Sequence, residues 1–211
     1  THVAAPPAGA QAADSLLDRA AAAIAAGRTL RASFEQTLTN PDIGETRTTR
    51  GEFAQRGASR FAFRFTEPAG DAIVADGAAI WVYLPSSARG QVLKLPVAQG
   101  AQLDLLAQLL TTPRTTYRVT AGADTTVGGR PAGVFTLVPK AQNAPFTRAR
   151  LWIDRTDALV RQVEAVELSG LVRRVRFRDV QSDVDLPHDA LTFTVPPNVK
   201  VLDAAGLMGN L

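Results

Sequence analysis

The chain of 211 residues offers few side chains that could make or break bonds, and none stands in a catalytic spacing. An activated nucleophile needs Ser, Thr or Cys beside His or a substitute base. There are two histidines and no cysteine. His2 lies in the N-terminal lead-in, and His188 lies in Leu186-Pro187-His188-Asp189, a turn ahead of the last predicted strand. The absence of cysteine excludes disulfides, thiol nucleophiles, Cys-ligated zinc and iron–sulfur clusters together.

Three other clusters could carry chemistry. Asp179, Asp183, Asp185 and Asp189 bring carboxylates close in sequence, yet they lack the glycine and terminal glutamate of a calcium loop. They read as a solvated loop, and no metal site is expected. Gly128-Gly129-Arg130-Pro131 reads as a hairpin turn, because no helix opening on Lys-Ser/Thr follows it as in a phosphate loop. The run Arg173-Arg174-Val175-Arg176-Phe177-Arg178 suggests a polyanion until it is placed on a strand. There Arg174, Arg176 and Arg178 share one face, while Val175 and Phe177 share the other. A solvated outer face follows, with no nucleic-acid partner.

The aromatic residues are the most informative set. Phe53, Phe61, Phe63, Phe65, Trp81 and Tyr83 lie within one short stretch. They fit a packed sheet core or the lining of an apolar cavity, and periodicity alone does not separate the two.

Composition sets the frame for these residues. Hydrophobic residues make up 45% and charged residues 20%, with a formal net charge of +3. That suits one globular domain and excludes a disordered chain. No segment approaches the ~20 consecutive apolar residues of a membrane-spanning helix. Residues 1–13 read as a flexible leader remnant after signal cleavage, and residues 14–211 as a single domain.

Two stretches have helical spacing. Ala12–Gly27 is alanine-rich, with Leu16, Leu17 and Ile24 on one face, Asp14 placed to cap it and Gly27 to end it. Ala101–Leu110 carries a broad stripe of Leu103, Leu105, Leu106, Leu109 and Leu110 and stops before Pro113. The remainder alternates with period two. Strands are predicted over Thr29–Thr39, Glu45–Gln55, Arg60–Thr66, Asp71–Ala75, Ala78–Leu84, Gln91–Leu95, Thr115–Ala121, Pro131–Pro139, Phe146–Asp154, Leu159–Leu168, Leu171–Val180 and Ala190–Val195. A large antiparallel sheet must cover its apolar face, and two short helices have too little area to do so. Either the sheet closes on itself or it curls around an internal space with the helices across the mouth.

One arrangement of motifs resembles a known family. Gly51-Glu52-Phe53-Ala54-Gln55-Arg56 is followed by Arg60-Phe61-Ala62-Phe63-Arg64-Phe65, Glu67-Pro68, Val74-Ala75-Asp76-Gly77 and Ile80-Trp81-Val82-Tyr83-Leu84-Pro85. Upstream stands Ala32-Ser33-Phe34-Glu35-Gln36, and downstream Phe135–Lys140 and Phe193–Val199. In order and spacing these resemble the outer-membrane lipoprotein carrier family, the LolA type, from about Asp14 to Asp203. The sequence departs from that family where Gly57 replaces a proline.

The resemblance implies a mainly β, α+β fold: an unclosed antiparallel barrel of about eleven strands with a helical lid over an apolar cavity. It implies a periplasmic, monomeric carrier, neither an enzyme nor stably inserted in a membrane, and with no cofactor. Such a carrier binds lipoprotein acyl chains, accepts them from an inner-membrane ABC transporter complex and passes them to an outer-membrane receptor. The expected lining is Phe34, Phe53, Phe61, Phe63, Phe65, Trp81 and Tyr83, beneath Leu103, Leu106, Leu109 and Leu110. Arg56 is expected to lock the lid, because a guanidinium has donors for the free carbonyls of a helix end. Relatives of this fold carry other amphiphiles, so a glycolipid, hopanoid or polyene-type lipid is the alternative cargo, and a lipoprotein-sensing regulator the alternative role.

Overall fold

The computed structural model describes residues 8–100 and 103–204. Alternating apolar and polar side chains drive most of this chain into strands, and thirteen of them join one sheet. Its first half is a meander in which β1 (Thr29–Asn40), β2 (Glu45–Arg56), β3 (Arg60–Glu67), β4 (Ala69–Ala75), β5 (Ala79–Tyr83) and β6 (Gln91–Pro96) each pair with the next. A second meander runs through β9 (Arg130–Pro139), β10 (Phe146–Asp154), β11 (Val160–Glu167) and β12 (Val172–Ser182). The halves join where β1 lies antiparallel to β12, with Phe34 opposite Phe177. β7 (Tyr117–Ala121) and the short β8 (Thr125–Val127) pair with β9, and β13 (Lys200–Asp203) adds to β6 in parallel.

β13 and β7 end the order without meeting, so the sheet is open. It is also curled. Phe34 and Phe61 of the first half share one buried cluster with Leu151 and Val163 of the second. A flat sheet would hold these side chains apart.

Two helices cover the concave side. α1 (Ala8–Ala25) buries Leu16, Leu17, Ala20 and Ile24 in the same cluster. Small alanines let it lie close to the sheet. Leu16 sits over Gly133 so tightly that a Cβ there would stand 2.9 Å from its methyl carbon. Gly27, at φ +71°, turns the chain out of α1 and into β1. After α2 (Val97–Gly100), α3 (Leu105–Leu110) buries Leu106, Leu109 and Leu110, and α4 (Pro113–Thr116) leads into β7.

Several expectations change. α1 begins at Ala8, four residues before the expected start at Ala12, and Asp14 lies inside the helix instead of capping it. Residues 1–7 are outside the described residues. The predicted helix Ala101–Leu110 starts only at Leu105, where Asp104 caps it, and residues 101–102 are not described. β7 starts at Tyr117 because Pro113 nucleates α4 first. β8 and β13 are too short for periodicity to reveal.

Ala190–Val195 forms no strand. Ala190 and Leu191 close a turn, and residues 192–195 run on without regular structure as a strap over the convex face. Leu191 buries on Ala62, Ala72 and Val74, and Arg64 Nη2 donates to the carbonyls of Asp189 (3.1 Å) and Thr192 (2.8 Å). The strap crosses a sheet face, where no neighbouring strand edge is free to complete a ladder. Ala204 is the last of the described residues.

Candidate ligand-binding interior

Strand alternation decides which side chains enter the concave interior. Phe34 on β1, Phe53 on β2 and Phe61, Phe63 and Phe65 on β3 all point inward and pack into the main cluster. The rings form a continuous layer. Phe53 and Phe63 stand opposite one another on paired strands with centroids 4.7 Å apart, and Phe34 meets Phe63 edge-on at 5.1 Å. Phe177 extends the layer to β12, 5.1 Å from Phe53. Leu103, Leu106, Leu109 and Leu110 cover it from the α3 side.

Trp81 and Tyr83 fall on the other face. β5 turns Ile80 and Val82 inward, and only these two join the interior. Trp81 stacks on Phe193 of the strap at 5.6 Å, lies under Lys94 and donates its indole N–H to Asp76 at 2.9 Å. Tyr83 packs against Phe193 as well. Ala79–Tyr83 is apolar on both faces, so its pattern carries no sign of which face is inside. The indole N–H, which needs a partner when covered, is the available clue.

Arg56 also departs from expectation. It is exposed at the end of β2, on the opposite parity from Phe53. The polar contact between sheet and lid comes from its neighbour. Gln55 is fully buried, and its Nε2 donates to Asp104 Oδ2 at 2.7 Å. Asp104 is the N-cap of α3, where its Oδ1 accepts from the Ala107 amide at 3.0 Å. One carboxyl group therefore holds the first turn of the lid helix and ties that helix to β2. Burial pushes the Asp104 pKa up to about 7, against the Ala107 and Leu106 amides, which pull it down. Gln55 Oε1 has no hydrogen-bond partner among the described residues. The sequence held a signal for this pair: Gln55 is a polar residue at an inward position, and Asp104 interrupts the leucine stripe between Leu103 and Leu105.

The interior is almost filled. A void of about 30 Å³ lies beneath α1, lined by Ile24, Phe53, Leu106, Val160 and Phe177 among others. A second of about 50 Å³ lies between Phe63, Phe65, Ile73, Leu103 and Leu106. Ligand clefts usually measure ~300–1,000 Å³. A long chain enters this interior only if α1 or α3 moves off the aromatic layer. Each leucine contact surrendered is replaced by contact with the chain, which offsets the apolar part of the cost. The polar tie at Asp104 is what such an exchange must break.

The other sequence clusters take structural places. Arg174 and Arg176 face outward as the spacing predicts, with Val175 and Phe177 buried beneath. Glu164, 4% exposed, accepts from Arg150 at 2.7 Å and Arg174 at 2.6 Å. Asp183 pairs with Arg28, and Asp179 accepts from Ser33. Among the described residues no group of three or more His, Asp or Glu side chains could hold a metal ion. No described helix is long and apolar enough to cross a membrane.

A family model described as outer membrane lipoprotein carrier protein LolA matches residues 26–194. The outer-membrane lipoprotein carrier protein of Methylibium petroleiphilum is 29% identical over 190 residues, covering 85% of each chain. That of Chromobacterium violaceum is 30% identical over 184 residues, covering 85% of this chain and 83% of the relative. Among solved structures, an uncharacterized conserved protein from Thermus thermophilus superposes with a TM-score of 0.57 at 15% identity, covering 92% of this chain and 99% of the other. That likeness shows the fold.

Proposed function

The chain belongs to the outer membrane lipoprotein carrier family, and from that premise we propose that it is a periplasmic shuttle for lipoprotein acyl chains, working by reversible binding and not by catalysis. It takes its cargo from an inner-membrane transporter complex and yields it to a receptor at the outer membrane. It acts as a monomer and needs no cofactor.

The observation that carries this reading is the aromatic layer beneath a detachable cover. Phe34, Phe53, Phe61, Phe63 and Phe65 form an apolar floor, and α3 rests on it through leucines and one buried polar tie. Acyl chains gain about 0.8 kcal/mol per buried CH₂. Two or three chains therefore have ample drive to displace a short helix. Release needs a next carrier that binds more tightly, so no energy source is required at this step.

Native mass spectrometry of the protein taken from a bacterial periplasm, with identification of the released lipid, tests the reading. A bound triacylated peptide or lipoprotein supports it. A defined non-protein lipid would assign the cavity to another amphiphile. An empty protein that also fails to take up a fluorescent fatty-acyl probe would sink the carrier reading and leave the aromatic layer as ordinary core.

A further inference from the structure

Ile43 and Leu168 are the two most exposed large aliphatic side chains among the described residues, at 68% and 66%. They are far apart in sequence, yet their turns lie at the same end of the sheet. Ile43 sits in the turn between β1 and β2, and Leu168 in the turn between β11 and β12. β1 and β12 are antiparallel neighbours, and their last pair at this end is Thr39 with Val172. The two turns are therefore adjacent tips at one end of the sheet.

Both tips are held firmly. The Asp42 amide donates to Asn40 Oδ1 at 3.1 Å. In the second turn the Gly170 amide donates to the Glu167 carbonyl at 3.0 Å, and the Glu167 amide to the Leu171 carbonyl at 2.8 Å. Rigid turns that present an isoleucine and a leucine to water keep an unfavourable exposure that a polar residue would avoid.

The tips also stand beside a way into the interior. Glu167, which precedes Leu168, lines a cleft of about 180 Å³ together with Leu103, Leu105, Phe146 and Arg173. Leu103, Leu105 and Arg173 also line the inner void that touches Phe63 and Phe65. The most exposed aliphatic points thus lie next to a cleft that borders the aromatic layer.

We propose that the Ile43 and Leu168 tips form a membrane-touching point that sets this cleft against a lipid bilayer surface while acyl chains pass. The proposal rests on the carrier reading above. A bilayer suits the geometry better than a protein does. The tips are convex, and two side chains offer far less than the ~1,200 Å² of a stable protein interface. A bilayer accepts convex aliphatic points without a matching pocket. The neighbouring charges largely cancel: Arg47 pairs with Glu45 and Arg173 with Glu167, and exposed Asp42 is offset by exposed Arg148, which lies on β10 opposite Val166. Contact is therefore apolar, weak and independent of anionic lipid.

The test uses the full chain and phosphatidylcholine vesicles. Flotation gives the vesicle-bound fraction, and a fluorescent acyl probe is supplied either within the vesicles or free in solution. The double variant Ile43→Ser, Leu168→Ser changes only turn positions. It should lower vesicle partitioning about tenfold, equal to about 1.4 kcal/mol. It should slow probe transfer out of vesicles to match, with uptake of free probe unchanged. Failure of the wild-type protein to float, partitioning unaltered in the variant, or binding that appears only with anionic lipid and vanishes in salt would each overturn the proposal. Failure of both proteins to take up free probe would strike the carrier reading instead, and flotation is read independently of it.

Discussion

Asp104 beneath the lid and Glu164 on the outer face are hidden almost equally, at 2% and 4% exposure, yet their surroundings drive them in opposite directions. Burial raises both. For Glu164 the hydrogen bonds from Arg150 and Arg174 outweigh burial and hold the carboxyl below its ordinary 4.5. Asp104 meets only an amide side chain and two backbone amides, and burial wins. The outer sheet face is built to stay ionised and fixed. The lid tie is held near the point of changing charge. On the proposed carrier reading this division supplies a firm shell and a cover that comes away.

The two sites give opposite dependences on pH. Asp104 has its folded pKa raised from 3.8 to about 7. Its contribution is whole below the ordinary value and fades as pH rises through about 7. Opening the lid wets the carboxyl and frees its proton at neutral pH, so closure is favoured at lower pH. Glu164 has its folded pKa lowered. Its contribution is present above the ordinary 4.5 and fades as pH falls through the folded value.

The largest effect should come from stripping Glu164 of its partners. Arg150→Ala with Arg174→Ala leaves a buried carboxylate without cationic donors. Urea unfolding at pH 7 should show a loss of about 2–3 kcal/mol, below a fully buried case because both arginines are part-exposed. A loss under ~0.5 kcal/mol would erase the contrast between the two sites.

Asp104→Asn should remove the pH slope rather than the fold. Thermal unfolding of the native sequence is expected to be more favourable to the folded state at pH 5 than at pH 8. The variant should be nearly flat across that range and about 1 kcal/mol more stable than the native protein at pH 8. An unchanged slope would place the titrating group elsewhere.

Gln55→Leu removes the side-chain donor to Asp104 and adds apolar surface. The pH midpoint for acyl-probe uptake should rise by roughly half a unit, because the ionised form loses a hydrogen bond. A midpoint that stays put would mean that Gln55 merely fills space. Arg56→Ala should do least, with stability and uptake within about 0.5 kcal/mol of native. A large effect there would restore the lid lock to the exposed arginine.

Much of the fold was legible because period two survives in strands of eight or more residues. Arg60–Glu67 alternates Phe61, Phe63 and Phe65 against Ala62, Arg64 and Thr66, and it folds as that pattern dictates. Three kinds of reading failed. Trp81 and Tyr83 lie on a strand apolar on both faces, so parity had no reference. Ala190–Val195 alternates like a strand but has no free edge to pair with. Arg56 was chosen from a family motif, one position away from the inward-facing Gln55.

The sequence by itself determined the sheet, its Phe layer, the leucine stripe that covers it and the absence of a thiol. Local sterics and side-chain alternation settle such features within a few residues of chain. Only the tertiary structure decided which face of β5 is inside, that Gln55 reaches Asp104 across 49 positions, and that the turns carrying Ile43 and Leu168 lie at one end of the sheet. Alternation says which side chains share a face. It does not say which face is covered, because that depends on how the distant halves of the sheet curl together and what they enclose.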